Sequence, residues 1–293
     1  GIVGAGVSPA ALAARSKQYF SNFINFELDG AFAGRLLAAE GGEPVIVPGA
    51  QLADTKIREP STLRYEPLSL RFGDMSAKVF EWVGKASINT ATGRSAAVLA
   101  YDSLGKELYR LTMQNARLTE IMFDGLNAAS AEVLRVSAKI QPGQSIHDLS
   151  AKTLYKGEIF KAKPLLSSSF RLYIQGIDTA EIKARTIDPV GLQARPDGVL
   201  VPTPLRFTVP LTFAASLFTW MNDTLTGKAG PRDGELQFMS RDFARVVASI
   251  AFDQLSILRV SCPIDATGDK SLQQVEVECQ PTSTKFNMGD LLT

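Results

Sequence analysis

The sequence predicts a mainly β chain built as two tandem β-barrel or sandwich units, each with one flanking helix. Three observations carry this. Short alternating apolar/polar runs recur with turn signals between them, as in Leu68-Ser69-Leu70-Arg71-Phe72 before Gly73. The only two tryptophans sit in helix-sized segments, each two residues after a phenylalanine: Phe80-Glu81-Trp82 and Phe218-Thr219-Trp220. Around them one order of features occurs twice. Phe23-x-x-Phe26-x-Leu28-x-Gly30 answers to Phe170-x-Leu172-x-Ile174-x-Gly176. Pro60-x-x-Leu63-Arg64-Tyr65 answers to Pro202-x-x-Leu205-Arg206-Phe207, an offset of 202 − 60 = 142. Val136-x-Ala138-x-Ile140-Gln141-Pro142 answers to Val275-x-Val277-x-Cys279-Gln280-Pro281, an offset of 275 − 136 = 139. A length of 293 residues accommodates two ordinary domains. The reading is an N-terminal arm over 1–19, a first β unit over 20–145, a polar linker over 146–164 and a second β unit over 165–293.

In the arm, Ser8 and Pro9 suit the N-cap and first turn of a short helix over 10–15. Residues 20–28 alternate as a strand ended by Asp29-Gly30. Residues 31–60, rich in Gly, Ala and Pro, read as a long excursion or a loose hairpin, and 31–59 as a segment of the kind that binds a neighbour. Residues 63–72 form a strand interrupted at Pro67. Asp74 is placed to cap a helix to about residue 86, with Met75, Val79, Trp82 and Val83 on one face. Residues 95–101 and 108–113 form a hairpin about Asp102-Ser103-Leu104-Gly105, and 117–122 and 132–140 add two more strands. The second half replays this order. There are strands at 170–174 and 205–212, with Pro210 in the role of Pro67, then a helix at 214–225 stopped by Gly227. Strands at 235–239, 246–252, 257–262 and 272–279 complete it.

Acidic and basic residues nearly cancel, leaving a formal net charge of +1, which gives no support for a basic nucleic-acid reader. Apolar runs are too short to span a bilayer, and no secretory leader is visible. A start at Gly1 fits removal of an initiator methionine. Gly1-Ile2-Val3-Gly4-Ala5-Gly6 mimics a dinucleotide fingerprint, but no strand precedes it, so a terminal arm is the better reading. His147 is the sole histidine and falls in the linker, which removes the supply for Ser-His-Asp, Cys-His or His/Cys metal chemistry. Cys262 and Cys279 have no metal spacing and read as two thiols in a reducing compartment, with a bridge between them as the alternative. Trp82 and Trp220 read as core plugs. Arg64, Arg71, Arg117, Arg206 and Arg259 lie either on solvated strand faces or along a channel. The expectation is a non-enzyme with no catalytic, cofactor or metal residues.

The first half carries an ordered motif series. It runs Phe26-Glu27-Leu28-Asp29-Gly30, Leu63-Arg64-Tyr65-x-x-Leu68-x-Leu70-Arg71-Phe72-Gly73, Phe80-x-Trp82, Leu99-x-Tyr101-Asp102-x-x-Gly105, Leu111-x-x-x-Asn115-Ala116-Arg117, then Leu126-Asn127-Ala128-x-x-x-x-Val133. This series resembles the tail tube proteins of contractile-tailed phages and phage-like contractile injection systems, over most of residues 20–145. The second half keeps the elements but lacks Asp-Gly, Asn-Ala and Leu-Asn-Ala, and family members typically carry one copy. The resemblance implies six-unit rings stacked into the inner tube, through which DNA or an effector passes. Implied partners are further copies of the chain, as hexameric or pseudo-hexameric trimeric rings, with the sheath, the baseplate or hub, and a tape measure protein or DNA in the lumen. No membrane partner is implied. The implied location is a virion tail or extracellular injection particle, assembled in the bacterial cytoplasm. A tube initiator or hub joining tube to baseplate is the alternative within this class. A monomeric β-rich binding module is the alternative outside it.

Overall fold

The computed structural model describes residues 23–51, 59–88, 93–149, 165–177, 182–263 and 273–288. The predicted N-terminal helix and the Gly-rich terminus lie outside them. In chain order the first half forms β1 (Phe23–Leu28), β2 (Ala31–Gly41), β3 (Pro44–Val47), β4 (Thr62–Tyr65), β5 (Leu68–Met75), helix α1 (Ala77–Ile88), β6 (Arg94–Tyr101), β7 (Glu107–Phe123), β8 (Leu126–Asn127), β9 (Val136–Gln141) and β10 (Gln144–Asp148). The second half forms β11 (Phe170–Ile174), β12 (Thr186–Ile187), β13 (Val190–Ala194), β14 (Leu200–Pro202), β15 (Leu205–Pro210), a 3-10 turn (Leu211–Phe213), helix α2 (Ala215–Leu225), β16 (Arg232–Met239), β17 (Val246–Ser261), β18 (Gln274–Gln280) and β19 (Ser283–Met288). The chain is mainly β, with two barrel-like units and a helix on each, as the residue pattern predicts.

The first unit closes on itself. Its strands run β7-β6-β1-β2-β5-β9, and β9 returns to β7. Closure works because β7 is long enough to serve two sheets. Its first part pairs with β6 and β10, and its second part with β9. The change of partner falls at Asn115, which holds φ +50°. Asparagine tolerates this left-handed conformation better than most residues. Gly93 and Gly143 make room for it: a Cβ on Gly93 would stand 1.8 Å from Asn115 Oδ1, and one on Gly143 2.9 Å from Asn115 Cβ. The expected separate strands at 108–113 and 117–122 are therefore one bent strand, because what reads as a turn is a kink within it.

The second unit repeats this pairing scheme. Arg117 faces Gln141 and Ser256 faces Gln280, both shifted by 139 (256 − 117 and 280 − 141). The register slip between Leu118 and Glu120 recurs between Ile257 and Arg259. The slips between Arg94 and Ala96, and between Ala100 and Tyr101, recur at Arg232/Gly234 and Phe238/Met239. Gln254, the counterpart of Asn115 (254 − 115 = 139), also has positive φ, at +54°. Even a side-chain bond repeats: Gln141 Nε2 donates to the carbonyls of Tyr65 and Pro142, and Gln280 Nε2 to those of Pro202 and Pro281.

One sequence match is corrected. Leu205-Arg206-Phe207 corresponds to Leu68-Ser69-Leu70, since Leu68 faces Ile140 as Leu205 faces Cys279. The pairing to Leu63-Arg64-Tyr65 was five residues early, and Pro204, not Pro210, stands where Pro67 does. Asp74 lies in β5 and does not cap α1. Residues 31–41 and 44–47 are paired strands, and β3 forms a hairpin with β4, the second of the two readings. Gly227, at φ +70°, ends the second helix region as expected.

One large core runs through both units, and a smaller cluster of Ala97, Leu99 and Tyr101 packs with Phe23 apart from it. Trp82 and Trp220 are each 1% exposed, so both are core plugs. Phe26 packs on Phe72 and Trp82. Trp220 donates to the Gly230 carbonyl at 3.3 Å, whereas Trp82 Nε1 meets no partner among the described residues.

Candidate assembly surfaces

A mainly β chain meets other chains through its sheet edges and outward faces. The two units are joined by strand addition. In the second unit, β13 leaves its own barrel and pairs with the outer edge of β7, setting Val190 against Phe123, Gly191 against Met122, Leu192 against Ile121 and Gln193 against Glu120. β14 follows as the last strand of that sheet. Gly191 is required here: a Cβ on it would stand 1.9 Å from the Ile121 carbonyl oxygen. The reverse exchange also occurs, since β8 of the first half pairs with β12.

The Leu-Asn-Ala turn sits at this junction. Asn127 N–H donates to the Ser167 carbonyl at 3.1 Å, Ala128 N–H to the Arg185 carbonyl at 2.8 Å, and Asn127 Oδ1 accepts from Ala129 N–H at 2.9 Å. Leu134 N–H and Ser167 N–H bond to the Leu165 and Glu132 carbonyls, respectively. Beneath the strands Phe123 stacks on Phe238 at 5.3 Å and on Phe286 at 5.8 Å. Helix α1 covers the seam, packing on β14 and β19 of the other unit. Sequence reasoning missed this junction. Pairing between segments about 70 residues apart leaves no local periodicity, and the one local signal was Gly191 within the apolar run 190–192.

The outward face of each unit is polar and internally neutralised. On the first, Lys139 pairs with Glu120 at 3.0 Å and Arg71 with Asp124 at 3.2 Å. On the second, Arg206 pairs with Glu278 at 2.9 Å, with Arg259 and Glu276 in adjacent strands. Hydrogen bonding to Glu278 raises the Arg206 pKa. Of the punctuating arginines, Arg71 and Arg206 thus lie on paired polar faces, while Arg64 and Arg117 are exposed.

The remaining candidates are separate from one another. His147 lies on β10, and its Nδ1 is 2.9 Å from the Tyr109 hydroxyl. Burial, then the charge of Glu43, raises the Tyr109 pKa. Cys262 and Cys279 are both free thiols. Burial pushes Cys279 up to about 12, so it is no nucleophile at neutral pH. Among the described residues no group of three His, Cys, Asp or Glu side chains is placed to hold a metal ion. No described helix is long and apolar enough to cross a membrane. A half-buried charge cluster unannounced by any motif ties β1 to β7: Arg110 bonds to the buried Glu107 at 2.7 Å and to Glu27 at 3.0 Å.

No protein-family model matches the chain, and no curated protein does. Among solved structures the chain is similar to a component of the sheath–tube complex of the extracellular contractile injection system PVC in its extended state. That match has 13% identity and a TM-score of 0.39, covering 49% of this chain and 99% of the other. The chain is similar to the sheath/tube terminator of the same system, at 13% identity and a TM-score of 0.36 over 43% of this chain and 92% of that one. It is also similar to Hcp1 from Flavobacterium johnsoniae, at 14% identity and a TM-score of 0.32 over 45% of this chain and 99% of that one.

Proposed function

We propose that the chain is a structural subunit of a contractile tail, forming rings of the inner tube, and that it performs no catalysis. The observation that carries this reading is the strand addition of β13 to β7, by which one β unit completes the sheet of the next within a single chain. Edge strands are hazards on a monomer and become useful where a neighbour closes them. The ordered motif series of the first half supports the same reading, because Asn115 and Leu126-Asn127-Ala128 occupy the kink and the junction on which that sheet depends. The two units, 20–145 and 165–293, arose by tandem duplication, which accounts for shared register slips at a constant offset.

Each chain then supplies two ring positions, and a six-unit ring needs three chains. The polar faces line the channel. Their charges are matched in pairs, so passing DNA or effector protein meets no unbalanced field that would hold it. Sheath and baseplate proteins bind the outside and the end of the tube. A second reading, a tube initiator or hub at the baseplate, is favoured by the two-unit chain, since three chains on six positions adapt threefold to sixfold symmetry. Native mass measurement and negative-stain microscopy test the proposal. Closed rings with a central hole, at three copies of 31.6 kDa each, are expected. A chain that stays monomeric at high concentration and binds neither sheath nor baseplate protein would exclude it.

A further inference from the structure

The junction inside the chain has an unused counterpart at each end of the molecule. In the first unit, the outer edge of β7 carries β13. The matching edge of β17, Ile257 to Ser261, pairs with β18 on its inner side and with no strand on its outer side among the described residues. The element that corresponds to the β13–β14 hairpin is β3–β4. Its end residue Tyr65 accepts from Gln141 as Pro202 accepts from Gln280, and Pro44 faces Tyr65 as Leu192 faces Pro202. Yet β3–β4 forms a two-stranded sheet by itself.

Burial follows the same division. Leu192 and Leu200, in the docked hairpin, are 1% and 5% exposed. In the undocked one, Ile46 and Leu63 face each other across the strands at 69% and 56% exposure. Leu258, on the vacant edge of β17, is 51% exposed. Two more surfaces of the internal seam have exposed apolar counterparts. Helix α1 is seated on β19; α2 exposes Leu225, β10, the counterpart of β19, exposes Ile146, and Leu149 just after it is exposed too. Three of these exposed apolar side chains, Ile46, Leu63 and Leu258, lie on the hairpin and the strand edge whose counterparts meet in the internal junction.

We propose that copies of this chain join head to tail by repeating the internal junction: the β3–β4 hairpin of one copy adds to the outer edge of β17 of the next. The inference rests on the ring reading above and specifies its contact. Transposing the β13–β7 register sets Pro44 against Val260 and Val45 against Arg259, and one step further sets Ile46 against Leu258. Glu43 occupies the place of Gly191, where a side chain would meet the opposing carbonyl, so the ladder starts at Pro44. The hydrogen-bonding edge of Leu192 faces β7, because Gly191 before it turns its N–H and carbonyl to Thr203. Pro44 therefore contributes an acceptor without a donor, and the Ile46 amide and apolar contact with Leu258 carry the rest. Such a contact is heterologous, and it closes into a ring with twice as many β units as chains.

The test is disulfide capture between two variants, Val45→Cys and Arg259→Cys, each in a Cys262→Ser background. A covalent dimer is expected on mixing the two under mild oxidation, and neither variant alone forms one. Rings that assemble from the mixture without this bond overturn the inference while leaving the ring reading intact; absence of rings from the unmodified chain overturns both. Deuterium exchange on the unmodified chain is a second readout that needs no folding of variants. The outward-facing amides of Leu258 and Val260 exchange freely in the dissociated chain and become protected on assembly, while those of Arg259 and Ser261, turned to β18, are protected in both states. Protection of Leu258 and Val260 already present in the dissociated chain would contradict the inference, because a segment of the same chain would then cover the edge.

Discussion

The two units share nearly every strand pairing and differ in one segment. In the first, β2 runs for 11 residues, pairs with β1 and β5, and closes the barrel. In the second, the described part of the corresponding chain gives the two residues of β12 to its own sheet and then sends β13 and β14 into the neighbouring unit. The same framework thus supports a self-sealed barrel or a strand-sharing joint, depending on how the connection after the first strand is used. Charge marks a second difference. The cluster of Glu27, Glu107 and Arg110 in the first unit is replaced at matching positions by Tyr173, Val246 and Ser249. The unit that stands closed carries this half-buried ionic tie, and the one that shares strands does not.

Replacing the two tryptophans gives the largest expected effects. Trp82→Ala and Trp220→Ala each remove a fully buried ring and cost about 3–5 kcal/mol in urea unfolding. Phenylalanine sharpens the comparison. Trp220→Phe loses the bond to Gly230 and costs about 1 kcal/mol more than Trp82→Phe, whose Nε1 has no partner to lose. Equal costs would show that the two helices are seated alike.

Gly191→Ala attacks the joint itself. The added methyl meets the Ile121 carbonyl, and the expected cost is about 1–3 kcal/mol, with faster amide exchange confined to 120–123 and 190–194. Exchange that rises uniformly would mean the units do not depend on this contact.

Cys279 occupies the position of Ile140 in the first unit, and only the thiol can titrate. Its folded pKa of about 12 lies above the ordinary value of 9.0, so the folded state holds the proton more tightly. That contribution is complete below about pH 9 and is lost as pH rises toward about 12, amounting to about 1 kcal/mol of lost stability at pH 10. Cys279→Val removes this slope. An unchanged alkaline decline would place its origin elsewhere. The smallest effect is expected at the polar face: Arg206→Ala breaks an exposed pair with Glu278 and shifts stability by about 0–1 kcal/mol, without disrupting assembly.

Much of this architecture is legible in the residues. Alternation at Leu68, Leu70 and Phe72 and at Val136, Ala138 and Ile140 marks strands whose inner face is buried. The helical spacing of Val79, Trp82 and Val83 places α1. What resists reading has a physical cause. Residues 108–113 and 117–122 read as two strands because alternation breaks at Asn115, whose positive φ bends one continuous strand. Leu63-Arg64-Tyr65 mimics Leu70-Arg71-Phe72, and only pairing with β9 decides which belongs to the barrel. The destination of β13 depends on an edge nearly 70 residues away, beyond any local pattern. His147 read as a linker residue because Pro142-Gly143 before it signals a break, whereas that turn leads directly into β10.

A reconstruction of the assembled particle by electron microscopy tests the central claim most directly. The account predicts a closed ring in which residues 44–47 of every chain run antiparallel to residues 257–261 of its neighbour, repeating the β13–β7 contact within each chain. Rings joined through any other surfaces, with the outer margin of β17 bare, would contradict it.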